Sequence, residues 1–352
     1  MSAKNFPVIR RKLLGWYKKN KRDLPWRRTR DPYAIWIAET MLQQTQVKTV
    51  LPYYERFLNT FPSVESLARA RLERVLRLWS GLGYYRRAEN LKTAARQVVR
   101  DHGGKLPREY SQLRTLAGIG DYTAGAILSI AFGKNYPAID GNVRRVLGRL
   151  YAIADDPALR DVAIELVRRT QPREFNQALM ELGATVCTPR APNCAACPLK
   201  SECLSRSAAR PTNHSDGVRA KYFTEVTWPL AIVRCGGKIL LHRRAAAALL
   251  ARLWELPGVE MTRRDGEASA LRRQLRDLRV NFAKPRRIGD IRHSITHRRI
   301  RAPVYLFDCT ALIAAPGPRW RWVPRRRVAH YPVSSMTKKA LAVLAAHETR
   351  SA

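Results

Sequence analysis

Four cysteines within 17 residues constrain the fold of this chain more than any other feature of its sequence. Cys187, Cys194, Cys197 and Cys203 lie in CTPRAPNCAACPLKSEC, with the spacing C-x6-C-x2-C-x5-C. Four thiolates this close along a chain can surround one metal centre. We therefore expect residues 187–203 to form a loop wrapped around such a centre.

Zinc and a 4Fe–4S cluster are the two candidates for that centre. Structural zinc sites usually take two close cysteine pairs separated by a longer loop, whereas here one C-x2-C pair is flanked by single cysteines. The observed pattern suits the four separate corners of a 4Fe–4S cube. The spacing therefore favours one 4Fe–4S cluster and leaves zinc as the alternative. Cys235 and Cys309 lie in strand-like contexts and are interpreted as core residues.

A second motif, LAGIGDYTAGAI at residues 116–127, places two glycines between helical segments. Gly118 and Gly120 permit a tight turn with outward backbone N–H groups, and the next helix offers its positive N-terminus. Such a helix-hairpin-helix holds a DNA phosphate without reading sequence. A G-x-G pair alone would equally suit a plain turn between helices. The flanking helices, the basic chain and the cysteine group downstream favour the DNA-binding interpretation.

Periodicity and helix breakers predict an all-helical first domain at residues 1–205. Asp31 and Pro32 form a good helix start, because Asp can cap and Pro fits the first turn. The pattern predicts helices at 32–57, 63–79, 85–102, 110–116, 122–132, 141–151, 158–170 and 176–183.

Residues 206–226 are polar without a clear period and predict a linker. Residues 227–352 predict a smaller α+β domain. Its signals are a hairpin around Gly236 and Gly237, strands at APVYLFDC and RWRWVP, and a closing helix capped by Ser334 or Ser335.

The charge of the chain points to a polyanionic partner. Lys and Arg number 65 against 28 Asp and Glu, a net charge of +37, and nucleic acid is the commonest polyanion. Solvated arginine faces would account for part of this excess. No apolar run reaches the roughly 18 residues that a membrane helix needs, and the N-terminus lacks the apolar region of a secretory signal. We expect a cytoplasmic protein that binds no membrane.

Two carboxylates stand out by their local context. Glu39 is a single acid in the apolar helical stretch WIAETMLQQTQ, on the same helix face as Trp36 and Gln43. A carboxyl in a partly apolar pocket has a raised pKa and can hold a proton near neutrality. Asp140, in AIDGNV, precedes Gly141 and a new helix, so a helix N-cap is its simplest role.

These motifs together resemble the endonuclease III superfamily of DNA base-excision glycosylases. LPWR, DPYAIWIAETMLQQTQV, GLGYYRRAENL, LAGIGDYTAGAI, IDGNVRRVLGRL and FNQALMELGATVC, with the four cysteines, closely resemble the MutY family over about residues 5–205. The resemblance implies an all-α helix-hairpin-helix glycosylase domain with an iron–sulfur cluster module, and a smaller α+β Nudix-like C-terminal domain. It also implies a nucleoid-associated monomer that flips and removes adenine mispaired with 8-oxoguanine or guanine in double-stranded DNA.

The resemblance also implies roles for individual residues. Glu39 would protonate N7 of adenine and then activate water, and Asp140 would be the anion beside C1′ of the sugar. Gln44 and Tyr84 would wedge into the duplex around the 8-oxoguanine, with Thr45 at the same surface and Tyr85 in the core. The residues expected to line the adenine pocket are Arg27 and Glu181.

Two positions depart from relatives that form covalent intermediates. Tyr122 stands where bifunctional members carry a lysine that attacks C1′, and tyrosine cannot form a Schiff base. Arg144 stands where some MutY proteins carry a lysine that cross-links to product, and arginine cannot do so at ordinary pH. Both departures predict a monofunctional glycosylase that uses water.

The second domain resembles a Nudix domain without its acid cluster. LWELPGVE, residues 253–260, is followed by a helix that carries Arg272, Gln274 and Arg276 where active hydrolases have acids. We therefore expect recognition of 8-oxoguanine rather than nucleotide hydrolysis. The loop IRHSITHRR aligns with the family's F-S-H recognition loop and reads Ile295-Thr296-His297, in which Thr296 keeps a hydroxyl.

Two other functions remain as alternatives at this point. One is a thymine or other mismatch glycosylase of the same superfamily, against which Gln44, Tyr84 and the second domain argue. The other is a non-catalytic DNA-binding protein with a cluster, against which Glu39 and Asp140 together argue.

Overall fold

The structure is a computed structural model that describes residues 5–206, 223–244, 252–261, 266–278, 282–295, 297–309 and 317–351. The described chain forms two compact units. The first contains residues 5–70 and 89–206, and the second contains Arg71–Ala88 and the described residues from 223 onward. Arg71–Ala88 lies within the range predicted for the helical domain, yet it folds with the second unit. Residues 207–222 of the predicted linker lie outside the described residues.

The first two thirds of the chain are helical, as predicted. In chain order the helices are α1 (Phe6–Asn20), α2 (Pro32–Leu42), α3 (Val47–Thr60), α4 (Val64–Arg69), α5 (Leu72–Trp79), α6 (Arg86–His102), α7 (Tyr110–Arg114), α8 (Asp121–Ala126), α9 (Gly141–Tyr151), α10 (Asp156–Val167) and α11 (Pro172–Thr185). Asp31 caps α2 by accepting from the N–H groups of Tyr33 and Ala34, at 3.0 and 3.2 Å. A π-helical turn, Ile127–Ala131, continues α8.

Two of the predicted helices are each broken into two. The helix predicted at 32–57 is wrong, because Gln44 takes a left-handed backbone (φ 56°) and ends the helical path between α2 and α3. The helix predicted at 63–79 is also wrong, because Ala70 and Arg71 are extended between α4 and α5. In both cases local backbone geometry interrupts a continuous hydrophobic period.

One core cluster of the first unit joins its N-terminal helix to its last helices. Ile9 and Leu13 of α1 are buried with side chains from α9, α10 and α11, including Phe175. Three of the four clustered cysteines pack at the edge of this core. The core therefore connects the helices that carry Asp140 and Glu181 to the cysteine loop.

In the described part of the second unit, the strands form one sheet of seven. Its strands are β1 (Thr224–Thr227), β2 (Leu230–Cys235), β3 (Lys238–Arg243), β4 (Trp254–Glu255), β5 (Arg286–Ile295), β6 (Arg298–Asp308) and β7 (Trp320–Pro324). The order is β1-β6-β2-β3-β4, with β5 paired to β6 and β7 paired to β3. The predicted hairpin is present, because Gly236 and Gly237 both have positive φ (51° and 72°), as its tight turn requires.

Helices cover both faces of this sheet. α12 (Glu267–Leu275) packs Leu271 and Leu275 on one face. On the other face, α13 (Ser335–Ser351) packs Met336 and Leu344. Ser334 caps α13 by accepting from the N–H of Thr337 at 3.1 Å. Among the described helices, none combines the length and apolar character that crossing a membrane requires.

Candidate active site

Glu39 lies on α2 and is almost fully buried, with 4% of its surface exposed. Burial raises the pKa of Glu39 to about 7, since the charged form loses its hydration. A hydrogen bond from Tyr122 lowers that pKa, and the charge of Asp140 raises it. This carboxyl can therefore hold a proton near neutral pH and release it in the same range.

Tyr122, on α8, donates its hydroxyl to Oε2 of Glu39. Burial first, and the nearby carboxylates of Glu39 and Asp140 next, raise the pKa of Tyr122 well above its usual value. Tyr122 thus stays protonated and acts as a donor. Glu39, Tyr122 and Asp140 come from three separate elements and meet at one cavity.

Asp140 is the N-cap of α9, as its position before Gly141 predicts. Its Oδ1 accepts from the N–H of Val143 at 2.7 Å, and its Oδ2 accepts from Nδ2 of Asn142 at 2.8 Å. Burial raises its pKa, while these hydrogen bonds act in the opposite direction. The cap fixes the carboxyl in one orientation at the cavity wall.

A chain of hydrogen bonds runs from Asp140 to the cysteine loop. Asn142 bonds to Asp140, and Nη2 of Arg145 donates to Oδ1 of Asn142 at 2.8 Å. Nε of Arg145 donates to the carbonyl of Cys187 at 2.7 Å, and its Nη2 also donates to Gly183 at 2.7 Å. Asn142 and Arg145 were not among the predicted site residues, although both lie in the segment IDGNVRRVLGRL. Arg145 is 7% exposed, an unusual burial for arginine.

Arg144, the next residue along the chain, has a different partner. Its guanidinium forms an ion pair with Asp156 at the start of α10. It therefore pairs with a carboxylate that is not one of the proposed catalytic acids.

Glu181 on α11 is fully buried and held by two arginines. Its Oε1 accepts from the backbone N–H and Nε of Arg22, at 3.0 and 2.8 Å. Its Oε2 accepts from Nη2 of Arg22 at 2.8 Å and from Nη2 of Arg27 at 2.7 Å. Burial alone would raise the pKa of Glu181, but the hydrogen bonds from Arg22 and Arg27 lower it to about 2. Arg22 was not among the predicted site residues.

One cavity of about 940 Å³ collects most of the predicted residues of the first unit. Its lining includes Arg27, Glu39, Gln44, Thr45, Tyr122, Asp140 and Glu181. The volume is at the upper end of the range for small-molecule sites. It contains two acids whose pKa is raised, Glu39 and Asp140, and one whose pKa is lowered, Glu181.

The turn after α2 forms one edge of this cavity. Gln43 donates Nε2 to Oγ1 of Thr123 at 3.2 Å, which ties the turn to α8. Gln44 is exposed and left-handed, and Thr45 is partly buried beside it. A left-handed backbone in a non-glycine residue is strained and is often found at functional positions.

Tyr84 belongs to the second unit and shares the unusual backbone of Gln44. Its φ is 48° and 52% of its surface is exposed, whereas Tyr85 is buried in the core, as predicted. Arg87 donates to the carbonyls of Tyr84, Leu82 and Gly83 at 3.2 to 3.4 Å. Its guanidinium also lies over the ring of Tyr84, 5.5 Å from the centroid. The loop therefore exposes the ring of Tyr84 on a backbone that the hydrogen bonds of Arg87 hold in place.

The glycine hairpin has the geometry that its sequence requires. Gly118 has φ 76°, and a Cβ there would lie 2.7 Å from Cβ of Asn90, so no larger residue fits. Gly120 caps α8 in an extended conformation. Gln97 holds the turn by accepting from the N–H of Ala117 at 2.9 Å.

The four clustered cysteines line one cavity of about 70 Å³ beside α9 and α11. Nη1 of Arg149 lies 3.5 Å from Sγ of Cys187 and donates to the carbonyl of Thr188 at 2.9 Å. No group of three or more His, Cys, Asp or Glu within the described ranges is spaced for a single metal ion. The cysteines therefore share one cavity without forming a compact single-ion site.

The predicted recognition loop is only partly described. Thr296 lies outside the described residues. His297 is exposed, and its carbonyl accepts from the N–H of Thr224 at 2.8 Å. Ile295 packs against the core of the second unit. On α12, Nε2 of Gln274 donates to the carbonyl of Gly258 at 2.9 Å, which ties this helix to the LWELPGVE segment.

Comparison with known proteins gives the family. Residues 37–172 match the HhH-GPD superfamily base excision DNA repair protein model, and residues 230–343 match the NUDIX domain model. The adenine DNA glycosylase of Rattus norvegicus is 36% identical over 407 aligned positions, which cover 97% of this chain and 78% of the relative. The chain belongs to the adenine DNA glycosylase family. The Mus musculus adenine DNA glycosylase is 38% identical, over 89% of this chain and 73% of its own.

This adenine DNA glycosylase family member is thus a DNA-binding enzyme of base excision repair. The predicted fold class is confirmed, with a helix-hairpin-helix glycosylase domain followed by a Nudix-like α+β domain. A solved structure of a thermostable thymine-DNA glycosylase is also similar, at 33% identity and a TM-score of 0.55. That match covers 58% of this chain and 97% of the other.

Proposed function

We propose that this enzyme removes adenine paired with 8-oxoguanine or guanine, and that water replaces the base on the sugar. The observation that carries the proposal is the buried Glu39, whose pKa of about 7 places its proton exchange in the working range. The cavity that holds it also contains Asp140. We further propose that the enzyme acts as a monomer on double-stranded DNA in the cytoplasm.

In the proposed reaction, protonated Glu39 gives its proton to N7 of the flipped adenine. The C1′–N9 bond then breaks, and adenine leaves with that proton. Ionised Asp140 offsets the positive charge that develops on the sugar. Glu39, now a carboxylate, takes a proton from water as the C1′–O bond forms. Protons and electrons balance without a further reactant.

Tyr122 supports a monofunctional reaction. It occupies the hairpin position at which bifunctional relatives carry the lysine nucleophile, and its hydroxyl is engaged with Glu39. No amine stands at that position to form a Schiff base, so water is left as the acceptor of the sugar. We expect little or no strand cleavage by the enzyme itself.

The remaining predicted residues would bind and read the DNA. Arg27 and Glu181 would line the adenine pocket, and Gly118 and Gly120 would hold a phosphate at the hairpin. Gln44 and Tyr84 would enter the duplex at the mispair, beside Thr45. Thr296 and His297 would contact the 8-oxoguanine. The exposed, left-handed conformations of Gln44 and Tyr84 support their part of this assignment.

We also propose that Cys187, Cys194, Cys197 and Cys203 hold one 4Fe–4S cluster. Four thiols line one cavity, and a single close pair flanked by single cysteines suits the four corners of a cube better than the two close pairs of a usual zinc site. The bound cluster would cross-link the loop 187–203 covalently. Metal analysis should find about four iron atoms per chain, and a chain that holds zinc instead would overturn the assignment.

A set of duplexes tests the reaction. The purified enzyme is incubated with duplexes that contain A opposite 8-oxoguanine, A opposite G, or T opposite G. Strand breaks in each duplex are then measured with and without alkali treatment. We expect alkali-dependent breaks at adenine only, and none with Glu39→Gln. Absence of breaks at adenine would refute the proposed substrate. Breaks without alkali would refute the monofunctional reaction.

Thymine opposite guanine is the second candidate substrate, because the similar solved structure is that of a thymine-DNA glycosylase. That likeness covers 58% of this chain, whereas the adenine DNA glycosylases match nearly all of it. Cleavage at T opposite G, in place of A, would favour this alternative.

A further inference from the structure

A cleft of about 770 Å³ in the second unit is lined mainly by arginines. We call it the arginine cleft, and its lining residues are Arg71, Glu73, Arg74, Arg77, Arg321, Arg327, His330 and Tyr331. Three arginines come from α5 and its N-cap, one from β7, and one from the 3-10 turn that follows β7. None of them belongs to the residues assigned to catalysis or to reading of the mispair.

The fold aligns these side chains by simple periodicity. Arg71, Arg74 and Arg77 are spaced three residues apart, so they follow one face of α5. On the facing wall, the guanidinium of Arg321 lies over two rings that contact each other, 5.3 Å from the centroid of Trp254 and 5.8 Å from that of Tyr331. Such cation–π contacts help to hold a guanidinium in place and leave its N–H groups able to donate.

The cleft has almost no negative charge to balance its arginines. Among the described residues that line it, Glu73 is the single carboxylate, and Oε1 of Glu73 accepts from Nε1 of Trp254 at 3.1 Å. Within the described part of the chain, Arg71, Arg77, Arg321 and Arg327 make no ion pair.

Several other arginines of this unit do form ion pairs. Arg234 pairs with Asp308 and Glu348, Arg286 with Asp308, and Arg287 with Asp290. Further pairs join Arg244 to Glu255, Arg298 to Glu260, and Arg325 to Glu348. The arginine cleft therefore gathers five arginines around one lining carboxylate, which is a local excess of positive charge.

We propose that the arginine cleft binds the phosphate backbone of the duplex, beside the mispair. Guanidinium groups match phosphate oxygens in charge and geometry. α5 has 8 residues and is about 12 Å long, less than half a turn of duplex DNA, about 17 Å. Tyr84 follows α5 by five residues, so a duplex engaged by Tyr84 has phosphates within reach of the cleft. This step rests on the proposed role of Tyr84.

A double variant with one change on each wall tests the proposal. Arg71→Gln with Arg327→Gln removes two exposed charges of the cleft. The matched control, Arg286→Gln with Arg287→Gln, removes two exposed charges that pair with acids in the same unit. Both variants have the same net charge, so a general charge effect cancels.

The measurement is the slope of log Kd against log salt for a duplex containing the mispair, with every protein carrying Glu39→Gln so that the base is not removed. Loss of two phosphate contacts should lower that slope by about 1.8, equivalent to about 12-fold in Kd between about 50 and 200 mM salt. The control should keep nearly the wild-type slope. Each single variant should lose about 0.9, which keeps the test valid if the double variant folds poorly.

Two results would overturn the proposal. One is an equal slope for the cleft variant and its control. The other is an unchanged DNA slope together with weakened binding of polyglutamate, which would assign the cleft to an acidic protein segment. Since DNA binding is measured without base removal, failure of the proposed excision would be recognised separately, as absence of breaks at adenine in the wild-type enzyme.

Discussion

Glu39→Gln should stabilise the first unit at alkaline pH while removing excision. Burial raises the pKa of Glu39 from 4.5 to about 7, a difference of 2.5 pKa units. At about 1.36 kcal/mol per unit, its ionisation costs the folded state about 3 kcal/mol. Below pH 4.5 the carboxyl is protonated in both states and costs nothing. Between 4.5 and 7 only the unfolded chain loses its proton, so stability falls as pH rises.

The variant amide stays neutral, so it avoids this cost. The free energy of unfolding of Glu39→Gln should exceed that of wild type by about 3 kcal/mol at pH 8 and by about 0.8 kcal/mol at pH 5. The free energy of unfolding of the first unit can be measured by urea titration, with hydrogen exchange of the peptide that contains α2 as the probe.

Glu181→Gln is the matched control, because the pKa of Glu181 is displaced in the opposite direction. That pKa is lowered to about 2 from 4.5, so its charge stabilises the folded state above pH 4.5, and this stabilisation is lost as pH falls through 2. Glu181→Gln should therefore destabilise the first unit equally at pH 5 and pH 8. A stability difference between wild type and Glu39→Gln that did not change with pH would refute the assignment of a proton to Glu39.

Three further variants test the supporting contacts. Tyr122→Phe removes a donor to the charged form of Glu39, so single-turnover excision should lose activity about one to two pH units higher than in wild type; an unshifted alkaline limb would contradict this. Arg145→Met should slow excision without moving the alkaline limb of the pH profile, because Arg145 contacts Asn142, which in turn holds Asp140. A shifted alkaline limb would argue for a direct effect on Glu39. Arg87→Met should release the loop of Tyr84 and reduce the preference for 8-oxoguanine over guanine opposite adenine, with the excision step itself unchanged; equal losses on both substrates would count against this role.

Much of the fold follows from short-range sequence signals. Asp31 with Pro32, the Gly236-Gly237 turn and Ser334 each fix a boundary through contacts a few residues away, so each could be predicted. The breaks at Gln44 and Ala70 could not, because no glycine or proline marks them. Likewise, the membership of Arg71–Ala88 in the second unit depends on partners far along the chain. Ser80 donates to the carbonyl of Val333 at 2.6 Å, and Lys338 donates to that of Ser80 at 2.9 Å.

In the candidate site, too, contacts with residues far along the chain could not be predicted from the sequence. Glu39 and Asp140 were found from local context and family resemblance, but their electrostatic setting depends on distant residues. Tyr122 lies 83 positions from Glu39, and Arg22 lies 159 positions from Glu181. Sequence alone could not say that one buried glutamate meets a neutral hydroxyl while the other meets two guanidinium groups. That difference of partners is what separates a pKa of about 7 from one of about 2.

The assignment of Tyr84 to the second unit bears on how the proposed reading of the mispair is organised. Gln44 and Tyr84 are both left-handed, and each such residue costs energy that its surroundings must supply. For Tyr84 the support comes from Arg87 and, through Ser80, from Val333 and Lys338 of the Nudix-like fold. The second unit would then supply Tyr84 as well as His297, while the first supplies Gln44 and the chemistry. Recognition of the opposite base would then depend on residues of the second unit as well as on Gln44, and cleavage of the bond to adenine would depend on the first unit.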